Sequence, residues 1–253
     1  MRRKGGCVKS GWIGCARRLC YSAGQKPVDQ PCPSPANCPM STAPQPKPAP
    51  LRLPQIAADP ALLMWDLRLP DGRAACLRPL LPGDQAALAS FYAGLRAQTR
   101  HFYDVPGEAG AVAELAAEQC AAIGRYDKLR LVLDVSQGPD APRFGGIFEF
   151  SLDLVAADVE RYAGYGLALQ PGADIRYGLC LADEFQGKGN ASAVQLYCQQ
   201  AAMALGAQRL ILWGGVYGSN APAIAFYRRV GFQPAGRFVN RDGVACVDMI
   251  LAL

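Results

Sequence analysis

Six residues in one run, Gln186-Gly187-Lys188-Gly189-Asn190-Ala191, have the composition of an anion cradle. Glycines let a backbone approach a phosphate, and unpaired amides at the start of a helix point outward. The helix dipole places about half a positive charge there, worth roughly 0.3–1 kcal/mol at exposed sites. Lys188 adds a cation at the rim. A bare Gly-Lys-Gly is nevertheless more often a structural turn than a ligand site. A dinucleotide fingerprint needs a third small residue at position 192, where Ser192 half fits, and it opens a fold after its first strand. The P-loop pattern is absent.

Other residues could move protons. Tyr227 is a candidate general acid, although an aromatic on a helix is by default a core residue. Glu149 stands alone in Ile147-Phe148-Glu149-Phe150, either as the solvent-facing member of an alternating strand or as a tuned carboxylate. Asp174, Asp183 and Glu184 are further candidate bases, the last two reading as solvated loop acids. The one histidine, His101, reads as a surface residue, and Cys–His chemistry has little support. Cys76, Cys120, Cys180, Cys198 and Cys246 sit among apolar neighbours and read as small buried hydrophobes of a reducing cytoplasm.

The elements that must position these residues alternate from about Ala61 onward. Arg73–Leu81 reads as a strand, broken by Pro82-Gly83, with Asp84 as N-cap of a helix over Gln85–Arg96. Short helices follow over Gln98–Val105 and Glu108–Ile123. Leu129–Val135 and Arg143–Leu154 read as a hairpin around Ser136–Asp140, and Val155–Gly172 as a helical excursion. Ile175–Ala182 is a strand that leads through the glycine loop into a helix ending near Leu205. Its apolar face is Ala191, Val194, Cys198, Ala201 and Leu205. Arg209–Val216 reads as one further strand, then a helix over Ala221–Val230 with Pro222 in its first turn. Two last strands, Gln233–Val239 and Val244–Leu251, flank an Asn240–Gly243 turn. The pattern implies an α/β fold.

Two of these segments together resemble the GNAT superfamily of acetyl-CoA-dependent N-acetyltransferases. Gln186-x-x-Gly189-x-Ala191 matches its [QR]-x-x-G-x-[GA] pyrophosphate signature. Asn220 to Phe232, with Phe226-Tyr227 and Gly231-Phe232, is similar to its second signature, shifted only in the position of an alanine. Arg78 to Asp84 is similar to its usual first strand and turn. The resemblance covers about residues 74–253, with two departures: Asn190 stands at a usually apolar position, and segments 104–126 and 155–173 are longer than a minimal domain.

What the resemblance implies is a mixed, mostly antiparallel twisted sheet flanked by helices. Acetyl-CoA is the implied co-substrate, with no metal. Cys180, Leu181 and Ala182 would pair with the pantetheine arm, and an amide near Leu181 would polarise the acetyl carbonyl. Amides of Gly187, Lys188, Gly189, Asn190 and Ala191 would hold the pyrophosphate, with Gln186 part of the same cofactor site, and Asn220 the pantetheine. Tyr227 would protonate the leaving thiolate and Glu149 would serve as base. The acceptor is an amine, of a small molecule or a protein. An acyl-CoA sensor without turnover is the alternative. A second copy could pair through the last strands, though nothing in their residues demands it.

The charge of +5 is unevenly spread over the 253 residues. Residues 1–39 carry seven Lys/Arg against one acid, and the remainder holds 19 basic and 20 acidic residues. A nucleic-acid reading would therefore rest on the tail alone. No run approaches about 18 apolar residues, which argues against a membrane helix. MRRKGG is not followed by the apolar run of a signal peptide, and the reading is cytoplasmic. Eleven of the 20 prolines lie between Pro27 and Pro60, so residues 1–60 read as a basic, then extended tail and 61–253 as the domain. Cys7, Cys15, Cys20, Cys32 and Cys38 show no CxxC spacing, which leaves little for zinc. Met40 reads as the natural start. Intact-mass measurement on protein from its native host should therefore give a chain that begins at or just after Met40; a mass that includes residues 1–39 refutes it.

Overall fold

The computed structural model describes residues 49–136 and 142–253. The tail cysteines, the start read at Met40 and most of the Ser136–Asp140 turn lie outside them. A nine-stranded sheet forms the centre. Strands β1 (Trp65–Arg68), β2 (Ala74–Pro79), β3 (Lys128–Asp134), β4 (Phe144–Ser151) and β5 (Asp174–Leu181) pair antiparallel in succession. β5 then pairs in parallel with β6 (Arg209–Leu212), and β6 antiparallel with β9 (Ala245–Ala252). β7 (Val216–Tyr217) and β8 (Gln233–Val239) also pair with β9. The sheet is mixed and mostly antiparallel.

Period-two alternation sends the strand side chains to two faces. On the back face Leu131, Phe148, Phe150, Ile175 and Tyr177 meet α1 (Leu53–Ala58), α6 (Asn190–Ala204) and α7 (Ala221–Arg229). On the front face Val132, Ile147 and Cys180 meet α2 (Gln85–Ala93) and α4 (Ala109–Ala121), with α3 (Ala97–Tyr103) between them in sequence. Further along the front, α5 (Ala156–Gly164) places Tyr162 against Ile211.

Four local readings need correction. The proline-rich stretch is not extended throughout: Leu53–Ala58 is helical and buries Leu53 and Ile56. Pro54 falls in the first turn, where its missing N–H is not needed, and the Gln55 side chain accepts from the Arg52 N–H at 2.8 Å. The fold therefore extends N-terminal to residue 61, and β1 was not read at all. Asp84 does not cap α2 through its side chain. Its buried carboxylate instead takes the Arg78 guanidinium at 2.7 and 3.1 Å and the Leu81 N–H at 2.8 Å. Finally, Arg209–Val216 is not one strand. It ends at Leu212, and Gly214 and Gly215 take left-handed φ of 69° and 71° before β7 begins. A Cβ on Gly215 would lie 2.8 Å from the Phe238 ring and 3.0 Å from the Val247 carbonyl.

That double glycine decides the shape of the sheet. Pairing of β5 with β6 stops at Tyr177↔Leu212, and the Trp213 N–H to Tyr177 carbonyl bond at 2.9 Å is the last between them. The chain then swings to pair Val216 with Val247 on β9. Gly178 to Leu181 is left with no strand on that side. The foot of the opening is fixed by Asp174, fully buried, which accepts from the Arg209 guanidinium at 2.5 and 2.6 Å and from the Gln170 N–H.

Charge pairs anchor α5. Arg161 donates to Asp248, which is wholly buried, at 2.5 and 3.1 Å and to Asp158 at 2.7 Å. The Tyr165 hydroxyl also donates to Asp248, and its ring lies where a Cβ on Gly236 would sit. Arg176 on β5 completes the group by donating to Ser151 and Asp153. The outermost strand, β8, carries Pro234 and a register shift between Pro234 and Gly236.

Removing one partner of a buried ion pair strands the other charge. Arg209→Met should therefore lower stability by about 3 kcal/mol, measured by urea denaturation. A loss below about 0.5 kcal/mol would show that Asp174 is satisfied without it.

Candidate active site

The opening beside β5 sits at the carboxyl ends of β5 and β6, where parallel strands that diverge leave a crevice. Which backbone groups face it follows from parity. In an antiparallel pair, residues alternate between pointing their N–H and C=O at the partner strand and away from it. The Ala182 N–H donates to the Gly145 carbonyl at 3.0 Å, so Cys180 and Ala182 turn their amides toward β4. Leu179 and Leu181 turn theirs toward the opening, as Tyr177 does when its carbonyl accepts from Trp213. Of the three residues read as an amide edge, then, only Leu181 presents its amide, and Leu179 joins it. Cys180 contributes a buried side chain on the front face, its thiol pushed well up by burial and by the nearby Asp183 and Glu149 charges.

Past β5, a short 3-10 turn over Asp183–Phe185 leads into the glycine loop. Gly187 and Gly189 have φ of 71° and 80°, the left-handed region that glycine enters without cost. The first hydrogen bond into α6 runs from the Ala193 N–H to the Gly189 carbonyl. The N–H groups of Asn190, Ala191 and Ser192 precede it and have no helical partner. With Gly187, Lys188 and Gly189 exposed beside them, the loop fits an anion such as a diphosphate: its amides lack helical partners and no side chain fills the space at Gly187.

Two side chains act on the loop itself. The Gln186 side chain donates to the Leu181 carbonyl at 2.9 Å, tying the loop to the strand end. Asn190 is fully buried, with its amide nitrogen donating to the Phe185 carbonyl at 3.0 Å, while its oxygen has no partner among the described residues. A polar residue at this usually apolar position thus staples the 3-10 turn beneath the helix start. The hairpin joining β1 to β2 rests against the loop, with Pro70 3.7 Å from where a Gly189 Cβ would be and Arg73 stacked 3.9 Å over the Phe185 ring. Sequence reasoning missed this hairpin.

Tyr227 projects from α7 into the back-face core, edge-on to Phe232 at 5.2 Å and 7% exposed. Burial, with Cys180 nearby, raises its pKa well above the ordinary value, so it stays protonated near neutral pH. Asn220 caps α7, its side-chain oxygen accepting from the Ala223 N–H at 3.2 Å.

Glu149 lies on the front face, in a cross-strand row with Arg130 and Gly178. One carboxylate oxygen accepts from the Arg130 guanidinium at 2.6 Å and the other from the Tyr103 hydroxyl at 2.5 Å. Burial and the charge of Glu149 hold Tyr103 protonated. Asp183 is engaged as well, accepting from the Arg96 N–H and the Thr99 hydroxyl at 2.8 and 2.7 Å. Glu184 pairs with the exposed Arg143, and Asp174 belongs to the closed end of β5. His101 is exposed and meets Tyr217 edge-on. Trp213 lies by Gly178, its ring 4.7 Å from the Arg176 guanidinium and 5.5 Å from the Lys128 ammonium. Among the described residues no cluster of side chains could hold a metal, and no helix is long and apolar enough to cross a membrane.

A splayed β5–β6 pair, an amide loop at a helix start and a tyrosine on the following helix define an acyl-CoA N-acyltransferase fold. The profile described as "Acetyltransferase (GNAT) family" matches residues 147–232, so this part of the chain is similar to that family. It is similar in fold to the GNAT domain of S. lividans PAT at 21% identity and a TM-score of 0.58, covering 77% of this chain and 99% of that one. Mycobacterium smegmatis RimJ in complex with CoA-disulfide gives 16% identity and a TM-score of 0.51 over 75% of this chain and 86% of that one. The aminoglycoside acetyltransferase AAC(6′)-Ib in complex with coenzyme A gives 19% and 0.52 over 70% and 93%. No curated protein matches the chain in sequence.

The Asn190 staple yields a test. Asn190→Leu removes one hydrogen bond and one unpartnered buried oxygen together, so stability should change by less than about 1 kcal/mol. Asn190→Asp buries a charge and should cost more than about 2 kcal/mol. Equal urea midpoints for the two variants would contradict this account.

Proposed function

We propose that this chain is an N-acetyltransferase that moves acetyl from acetyl-CoA to a primary amine by direct attack with both substrates bound. The observation that carries the reading is the opening beside β5, with two unpaired strand amides at one end and the amide loop at the other. Bound acetyl-CoA would supply a thioester whose carbonyl carbon is open to attack. The N–H groups of Gly187 to Ser192, with the helix dipole and Lys188, hold its diphosphate. Pantetheine amides pair with the backbone of Leu179 and Leu181 as an added strand would, and Asn220 borders the arm. The free Leu181 amide would donate to the acetyl oxygen as negative charge builds there, an interaction that stabilises acyl transfer.

Tyr227 donates the proton that the departing sulfur takes up. Its raised pKa keeps that proton in place across the working range, so loss of the acid form sets no alkaline limit below about pH 10. Glu149 supplies a fixed charge on the acceptor side, and through Arg130 and Tyr103 it holds that wall in position.

Coenzyme A should raise the unfolding midpoint by mass action. Tyr227→Phe should lower kcat by about 100-fold while calorimetric affinity for acetyl-CoA stays within about twofold. Unchanged kcat would remove Tyr227 from the acid role. Binding of acetyl-CoA without thiol release for any amine would instead favour a sensor.

A further inference from the structure

Resting on the acetyltransferase reading above, we infer that Asp183 and Thr99 are positioning residues. They tie the first turn of α3 to the end of β5, so that a cofactor seated in the glycine loop also steadies the helix that carries Tyr103. α3 spans only Ala97–Tyr103, and none of its residues is fully buried. A helix of that length is marginal in water unless other contacts hold it.

Both of its ends are held, and by different strands. At the start, the Asp183 carboxylate accepts from the Arg96 N–H at 2.8 Å with one oxygen and from the Thr99 hydroxyl at 2.7 Å with the other. At the end, the Tyr103 hydroxyl donates to Glu149 on β4, and the His101 and Phe102 rings meet the Tyr217 ring of β7 edge-on. The chain leaves α3 through Asp104, whose φ of 56° is the single left-handed value at a non-glycine among the described residues. Such a conformation persists only where the contacts around it impose it. α3 is thus shaped by what grips its two ends.

The grip on the first turn reaches the cofactor loop through Gln186. Its side-chain amide donates to the Leu181 carbonyl at 2.9 Å and to the Thr99 hydroxyl at 3.4 Å, and that hydroxyl in turn donates to Asp183. Pantetheine on the Leu181 edge and a diphosphate on the amides after Gly187 would therefore fix the chain on both sides of Asp183 and Gln186. Once those residues are ordered by the cofactor, docking of α3 loses less entropy, which couples the two events with no change of fold. Linkage makes the coupling reciprocal: the factor by which the cofactor favours docked α3 is the factor by which docked α3 favours the cofactor. Asp183 and Thr99 act through α3 and Gln186, and neither need touch the reacting atoms.

The test is hydrogen exchange at the amides of Arg100 to Val105, with and without coenzyme A, in the full chain and in Thr99→Val, Thr99→Ser and Asp183→Ala. Coenzyme A should slow exchange there at least about fivefold in the wild type. That slowing should fall below about twofold in Thr99→Val, which keeps the side-chain shape without the hydroxyl, and in Asp183→Ala, and it should return in Thr99→Ser. Calorimetric affinity for coenzyme A should weaken in the first two by no more than the wild-type slowing factor. Unchanged exchange in the wild type despite calorimetric binding, slowing that survives either substitution, or a Thr99→Ser variant that behaves like Thr99→Val would each overturn the positioning role. A larger loss of affinity would overturn it too, by placing these residues in the cofactor seat itself. Absence of any binding heat with coenzyme A would instead overturn the acetyltransferase reading, so the two failures are distinguishable.

Discussion

The structure turns on the point where two parallel strands part. Strand pairing is cooperative, and a central strand with a row of unpaired amides is costly unless something else pairs with it. Here Gly214 and Gly215 take backbone angles that an L side chain resists, and Phe238 and the Val247 carbonyl leave no room for a Cβ at 215. The chain leaves β5 after Trp213 and finds β9. The amides of Leu179 and Leu181 are what that departure exposes. The glycine loop, the Gln186 brace on the Leu181 carbonyl and the start of α6 all follow within a few residues of that exposed edge.

Around the opening, charge is arranged in closed groups rather than left free. Arg78 sits between Asp84 and Asp134, Arg130 on Glu149, Arg209 on Asp174, and Arg161 on Asp158 and Asp248. Apart from the local Arg78–Asp84 and Arg161–Asp158 contacts, these pairs link elements distant in sequence, so they fix geometry more than they add net stability.

Local features were legible in the sequence and long-range ones were not. Gln186, Gly189 and Ala191, like Asn220 and Tyr227, lie in short segments whose turns, caps and helix starts are set by near neighbours, and the order of elements from β2 to β9, apart from the separation of β7 from β6, followed for the same reason. The helix over Leu53–Ala58 was hidden because proline content was read without regard to position in a first turn. The break after Leu212 was hidden inside an apolar run whose two glycines matter only because Phe238 and Val247 crowd one of them. The parity that presents Leu179 instead of Cys180 depends on register with β4, and the hold on Glu149 comes from residues 19 and 46 positions away. Pairings of that range leave no trace in spacing.

One feature of the rim has a bearing on the molecule's life in a crowded solution. Sheets whose last strand is straight and fully hydrogen-bonding invite another chain to zip onto them, the first step toward fibrils. At Pro234 the last strand has no amide proton to offer, and the kink between Pro234 and Gly236 throws its ladder out of step. An open-edged sheet of nine strands can in this way remain a poor seed for amyloid, although exposed Val239 lies on that same strand.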